Sequence, residues 1–250
     1  MRPSSVVATI AVLLGTAVCV RLGFWQISRL HEKQALNAAM RAALAAQPLD
    51  AGGRFVPLGT LGARRVRYAG SFDESRQVLL SGRAEKGAPG VHVVTPYRLA
   101  DDSIAVLVDR GWLYSADAAT ARPQDDREAP GRAIDGLPEA IAPHVGSAPW
   151  LALERDSVTL WSTRLLAADS LAPRFPYALA PYLVRELPGP GVPATPLRTP
   201  PAPRDEFMHV SYAIQWFLFG AILLFGSMLL ARSRRRGPAP VLAPGHDTLD

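Results

Sequence analysis

The stretch from His209 to Ala231, HVSYAIQWFLFGAILLFGSMLLA, constrains this chain most. Val210 to Ala231 is 22 residues without a charge. As a helix, that length crosses the hydrocarbon of a bilayer with some tilt. One end is followed at once by Arg232, Arg234, Arg235 and Arg236. The other end holds the polar residues His209, Ser211, Tyr212 and Gln215, with Trp216 behind them. At 3.6 residues per turn, His209, Tyr212 and Trp216 share a helix face, and Gln215 lies beside Tyr212.

A second apolar run lies near the N-terminus. Pro3 to Val20 is 18 uncharged residues, and Leu22-Gly23-Phe24-Trp25 carries the pattern to about Ile27, with Arg21 snorkelling. Three fates compete. A cleaved signal peptide needs a small-x-small site, which Gly15-Thr16-Ala17 meets weakly. A lipid anchor at Cys19 wants a small residue before it, and Val18 is a poor match. A retained helix fits best, because Leu22 to Ile27 stay apolar and aromatic where a mature soluble start turns polar. The helix is expected to continue through Ala-rich sequence to Gln47, stopping at Pro48. Trp25, Gln26 and Arg29 then share a face at the outer end of the first span. Hairpin topology alone sets them at the depth of His209.

Two spans return the chain to the side it left. Arg2 and the amino group flank the first and the arginine cluster flanks the second. The positive-inside rule then predicts a multi-pass membrane protein with both termini cytoplasmic and about 180 residues outside, in the periplasm or an equivalent space. Arg21, Arg29 and Lys33 argue weakly the other way. The predicted organisation is a span over 5–27, a domain over 28–208, a span over 209–231 and a cytoplasmic-side tail over 232–250. Net charge is +5, but much of the basic excess flanks the second span, so it reads as topology and predicts lipid contact and no nucleic-acid partner. The single cysteine, Cys19, excludes an intrachain disulfide and a paired-thiolate metal site.

Between the spans the texture turns to β. Arg65 to Tyr68 alternates, Gly70 and Phe72 follow, and Val78-Leu79-Leu80 is a short buried-type run. Gly87 to Gly90 reads as a turn, and Val91 to Val94 as a strand ending at Pro96. Ile104 to Val108 is a fully apolar strand, expected to break at Asp109-Arg110-Gly111-Trp112, with an Asp–Arg pair fixing the corner. Ala116 to Gly131 is loop-like. Trp150 to Leu153 reads as a strand, Asp156 to Ala168 as a helix with Leu160, Trp161 and Leu165 apolar, and Tyr182 to Arg185 as a last strand. Pro188 to Pro203 holds seven prolines in 16 residues and reads as a stiff tether back to the membrane. The predicted fold class is membrane α+β, with two transmembrane helices flanking an extramembrane β-sheet-rich domain. No P-loop, dinucleotide fingerprint, GxSxG, HExxH or paired-cysteine motif is present, and the histidines outside the second span are scattered, so no enzyme activity is expected.

At this point the chain resembles the surfeit locus protein 1 family of cytochrome c oxidase assembly factors. Leu22-Gly23-Phe24-Trp25-Gln26-Ile27-Ser28-Arg29-Leu30 is similar to the family's LGxWQxxRL. Gly70-Ser71-Phe72 looks like its first domain strand. Pro89 to Pro96 followed by Val106 to Trp112 resembles its central block, and His209 to Phe217 its HxxYAxQWF signature. Residues 115–200 match loosely. Asp109 stands where the family usually has asparagine, and Asp205 to Met208 replaces the usual asparagine-containing lead-in to the histidine. The resemblance implies a chaperone-like role in biogenesis of the oxidase's large catalytic subunit in the cell inner membrane. It also implies heme a as cofactor and heme A synthase as a further partner. His209 is the implied ligand of the heme iron. Trp25, Tyr212 and Trp216 would flank the porphyrin, with Gln26 beside them, and Arg29, with Arg21 as a further candidate, would pair with propionates.

Each of these residues has a plainer alternative. His209 can be a hydrogen-bonded interfacial residue, and Trp25, Tyr212 and Trp216 belt aromatics. Arg29 can hold Glu32 or a lipid phosphate. Asp109 to Trp112 can be structural, and His92 a satisfied or solvent-facing strand residue. A scaffold that stabilises the nascent oxidase subunit without heme then needs no cofactor at all.

Overall fold

Both apolar runs form long helices in the computed structural model, which describes residues 3–144, 149–155 and 158–235. Helix α1 runs Pro3–Ala45 and α4 runs Phe207–Arg235. Both are long and apolar enough to cross a membrane. The tail from Arg236 onward, expected on the cytoplasmic side and including His246, lies outside the described residues. The chain divides into two compact units. One joins the described residues up to Ala38 with those from Pro203 on, and the other is Ala39–Ala202.

Within the first unit the helices run antiparallel: Gly15 lies against Leu223, Cys19 against Gly220 and Gly23 against Phe217. A Cβ on Gly23 would come within 2.7 Å of the Phe217 ring, so glycine there is what lets the helices approach. Phe24 meets Phe217 edge-on at 5.4 Å. The Asp205 carboxylate accepts the Phe207 N–H at 2.9 Å at the start of α4.

The second unit is built on a mixed sheet. Its strands are β1 (Leu49–Gly52), β2 (Val66–Tyr68), β3 (Gly70–Phe72), β4 (Val78–Glu85), β5 (Ala88–Leu99), β6 (Ala105–Tyr114), β7 (Ile134–Ala140), β8 (Leu151–Arg155), β9 (Val158–Thr163) and β10 (Leu179–Glu186). The order is β1-β2-β7-β10-β6-β5-β4-β9-β8, with β3 paired to β5. The β1/β2, β6/β10 and β4/β9 pairs are parallel and the others antiparallel. Short helices α2 (Leu58–Leu61) and α3 (Ala168–Leu171) complete it. The fold class read from the sequence is the one observed.

Strand β6 shows why its sequence is apolar without alternation. Val106 and Val108 face a core with Tyr68, Tyr97, Ile134 and Tyr182, while Leu107 faces another with Val78, Leu80, Val94 and Phe175. Both faces are covered, so both parities are hydrophobic. A third cluster joins Leu79, Val91, Val93 and Leu160.

The structure corrects five local expectations. The turn read over Gly87 to Gly90 lies at Lys86 and Gly87, and Ala88, Pro89 and Gly90 already belong to β5. Strand β5 does not end at Pro96 but runs to Leu99, with Pro96 opposite Leu107. The Pro96 carbonyl accepts the Asp73 N–H at 2.8 Å. Because N and O of a strand residue point the same way, its missing donor falls in the gap between β3 and β4 and costs no ladder bond. Strand β6 likewise does not break at Asp109 but continues to Tyr114. Gly111 there has φ +109, and a Cβ on it would lie 2.3 Å from the Leu197 carbonyl oxygen. Residues 158–163 are not helical but form β9, beside β4, with Leu160 and Trp161 packed into different clusters as strand alternation requires. Val158, Thr159 and Thr163 are β-branched and favour that outcome; Asp156 and Ser157 lie outside the described residues. Finally, the proline-rich segment is not a free tether. Leu197 and Trp112 exchange backbone hydrogen bonds of 2.8 and 2.9 Å, and Arg198 is only 5% exposed.

Candidate functional site

Two polar contacts organise the helix pair. The first is a clasp. Asn37, 1% exposed on α1, donates from Nδ2 to the Glu206 carboxylate at 2.7 Å and to the Arg204 carbonyl at 3.0 Å. Its Oδ1 accepts the Arg204 N–H at 2.8 Å. Lys33 Nζ adds a bond to the Asp205 carbonyl at 3.1 Å, and Gln34 Nε2 one to Glu206 at 3.3 Å. Lys33, Gln34 and Asn37 lie seven, eight and eleven residues after Gln26, which places them on its side of α1. The clasp therefore fixes the register at which the start of α4 meets α1.

The second contact is at the mouth of α4. His209 Nδ1 lies 2.7 Å from Gln26 Oε1. An amide oxygen only accepts, so Nδ1 carries the hydrogen and donates. In the neutral ring, Nε2 then holds the lone pair, and among the described residues it has no hydrogen-bond partner. Gln26 is 8% exposed, so the bond is shielded on the α1 side.

Of the six residues singled out by sequence, this pair is in direct contact. Trp25 and Tyr212 are 45% and 46% exposed, as side chains that present a surface and not a packed core. Trp216 meets Phe219 edge-on at 6.0 Å. Arg29 lies over the Trp25 ring at 5.7 Å and pairs with Glu32 at 2.7 Å, the plainer alternative foreseen for it. Both partners of that pair are about half exposed, so it is worth under about 1 kcal/mol and yields easily to another anion. Gln215 donates to the Ser211 hydroxyl at 3.2 Å. An imidazole with one nitrogen anchored, the other unpartnered, and half-exposed aromatics on its own and the facing helix suits a planar macrocycle with an iron centre.

Sequence reasoning missed the clasp, whose residues are ordinary polar ones on an Ala-rich helix and in an acidic lead-in. It also missed two arrangements in the sheet unit. His92 Nδ1 sits 2.8 and 3.0 Å from the two Asp109 carboxylate oxygens, and Asp109 also accepts the Gly111 N–H at 2.9 Å. Asp109 therefore pairs with His92, not with Arg110 as expected. Arg110 instead reaches Glu128 at 2.7 Å inside a buried network. Glu128 also pairs with Arg132 at 2.6 Å and with Arg198, and Glu186 with Arg132 at 2.5 Å and with Arg198 at 3.0 Å. Burial alone would raise the Glu128 carboxyl, but Arg110, Arg198 and Arg132 hold it below the usual carboxylate range. Of the remaining histidines, His144 pairs with Asp169 at the surface and His31 is exposed. Among the described residues no three His, Cys, Asp or Glu side chains gather as a metal site.

Two apolar helices of membrane-spanning length enclosing a mixed-sheet domain define a membrane-anchored sheet protein with a polar contact between its two spans. The chain belongs to the SURF1 family, whose sequence model matches residues 13–221. It is similar to a SURF1-like protein of Rickettsia felis, 32% identical over 106 residues, covering 42% of this chain and 45% of that protein. Similarity extends to the mouse surfeit locus protein 1, 30% identical over 115 residues, with coverages of 40% and 38%. The cytochrome oxidase assembly protein SHY1 of Saccharomyces cerevisiae is 31% identical over 100 residues, with coverages of 39% and 26%. The chain thus spans less than half the length of these relatives.

Proposed function

We propose that this chain is a membrane-embedded assembly factor for cytochrome oxidase that holds heme a through His209 and assists its insertion into the catalytic subunit. The family and the name of the yeast relative support the assembly role. The observation that carries the heme reading is the His209–Gln26 bond, which occupies Nδ1 and leaves Nε2 with its lone pair. Heme a would supply the redox-active iron that the oxidase needs, with this chain as its temporary holder. His209 Nε2 would hold the heme iron. Trp25, Tyr212 and Trp216 would present aromatic faces to it, and Arg29 would exchange Glu32 for a propionate. The exchange is cheap because the exposed Arg29–Glu32 pair contributes little. The holder's task is binding and release, not catalysis. Its partners are the catalytic subunit as acceptor and heme A synthase as donor. The arginines that follow the uncharged run of the second span, Arg232 and Arg234 to Arg236, support an orientation with the chain's ends in the cytoplasm and the sheet unit outside.

A second reading also has its observation. The same Gln26–His209 bond ties two helices together, and such bonds between spans stabilise helix pairs by about 1 kcal/mol. A heme-free scaffold for the nascent subunit would use it for that alone. The absorption spectrum of detergent-purified protein, co-produced with a heme A synthesis pathway, separates the two. A low-energy α-band in wild type that disappears in His209→Ala supports the holder. A wild type without the band, with heme A present in the host membrane and the fold intact by circular dichroism, leaves the scaffold.

A further inference from the structure

A neutral histidine in water exchanges between two tautomers, so neither ring nitrogen is reserved for a ligand. His209 stands differently. Its Nδ1 faces the Gln26 carboxamide oxygen at 2.7 Å, from the other helix and with Gln26 8% exposed. Water competes poorly for that oxygen. The glycine contacts between the helices and the Asn37–Glu206 clasp fix the register that brings the two side chains together. We infer that Gln26 is a positioning residue: it holds His209 in the Nδ1–H tautomer before any ligand arrives, and so reserves Nε2 as the coordinating nitrogen. Gln26 is then not a cofactor contact, the role the sequence resemblance suggested, but acts through His209.

The physical reason is the one that governs metal-binding histidines generally. A hydrogen bond from the far ring nitrogen fixes tautomer and ring orientation and makes the ligating nitrogen a better donor. A glutamine oxygen is a moderate acceptor. A carboxylate in its place would draw the Nδ1 proton harder and strengthen donation from Nε2, while an apolar side chain of similar size would remove the constraint.

The inference that the tautomer is preset concerns the chain itself; its use for a heme rests on the reading above. The test begins without ligand. The protein is labelled with 15N-histidine and studied in detergent by long-range proton–nitrogen correlation, at a pH where the ring is neutral, with His209 assigned by its disappearance in His209→Ala. Wild type should show a protonated Nδ1 and a lone-pair Nε2. Gln26→Leu should release His209 to a tautomer mixture, and Gln26→Glu should restore Nδ1–H. An Nε2–H tautomer in wild type, which would mean that the amide presents its NH2 group instead, overturns the inference. So does an unchanged tautomer in Gln26→Leu. Heme a titration is the second readout. Gln26→Leu should weaken binding by about 10–100-fold, the usual consequence of losing such a partner, and Gln26→Glu should recover it. Equal weakening in both variants overturns the positioning role. Heme binding that survives His209→Ala defeats the holder reading but leaves the tautomer result standing, so the two failures are told apart.

Discussion

The Glu128 carboxylate, 1% exposed, lies among the guanidinium groups of Arg110, Arg132 and Arg198. Its removal would leave buried cations facing each other, and breaking a buried ion pair from one side costs about 3–5 kcal/mol. Glu128→Ala is therefore expected to unfold the sheet unit at markedly lower temperature, read as loss of the near-ultraviolet circular dichroism of its buried tyrosines. The sign of the pH dependence follows from the depressed carboxyl. A group whose folded value lies below its unfolded value stabilises fully above the unfolded one, about 4.3 for glutamate, and progressively less as pH falls through the folded one. The Tm gap between wild type and Glu128→Gln should thus be widest near neutrality and narrow below about pH 4.3; a gap that widens with acid would contradict the network's role. None of this was legible in the sequence, because Glu128 sits in a polar stretch that reads as loop and two of its partners, Arg110 and Arg198, lie 18 and 70 residues away. His209 was legible, since a histidine at the end of an uncharged run stands out locally. Its bond to Gln26, 183 residues distant, followed only as a match in depth.

Among the elements, the helices were the most readable and strand β9 the least, whereas β8 and β10 stand where strands were expected. A span announces itself by length and lack of charge, and α1 ends just before Pro48 as a proline boundary demands. Strand β9 was misread because Leu160, Trp161 and Leu165 fit a helical face by accident in a stretch too short for periodicity to decide. Strand β6 was cut short because Asp109-Arg110-Gly111 looks like a turn. In the structure those residues pair with β5 and β10 and contact the proline-rich segment. Gly111 is needed there on two counts, its φ of +109 and the Leu197 carbonyl 2.3 Å from where a Cβ would stand. Gly111→Ala should destabilise the sheet unit by at least about 1 kcal/mol. It should also make the bonds near Leu197 and Arg198 more susceptible to limited proteolysis in the folded state. Wild-type cleavage kinetics in that variant would show that the segment is not held through Gly111.

At the scale of the whole molecule, the order of parts was readable because hydropathy and charge are local properties, whereas strand order depends on pairings such as β10 with β6 that no local pattern encodes. The same local signals make the last prediction. Two spans with a sheet unit between them leave two possible orientations. Arg232 and the arginines after it sit immediately beyond the uncharged run, where basic residues weigh most, against Arg21, Arg29 and Lys33 near the other end of the hairpin. The expected orientation puts Ser233 in the cytoplasm and the sheet unit outside. Cys19, buried against Gly220, is the chain's single cysteine, so replacing it by alanine gives a background on which one new cysteine reports one position. A cysteine at exposed Ser103 should react with a membrane-impermeant maleimide in intact spheroplasts, and one at Ser233 only after the membrane is permeabilised. The reverse pattern would place His209 at the cytoplasmic face. A heme holder there would have to deliver its cargo from the opposite side, so this outcome would defeat the orientation and, with it, the proposed route of transfer.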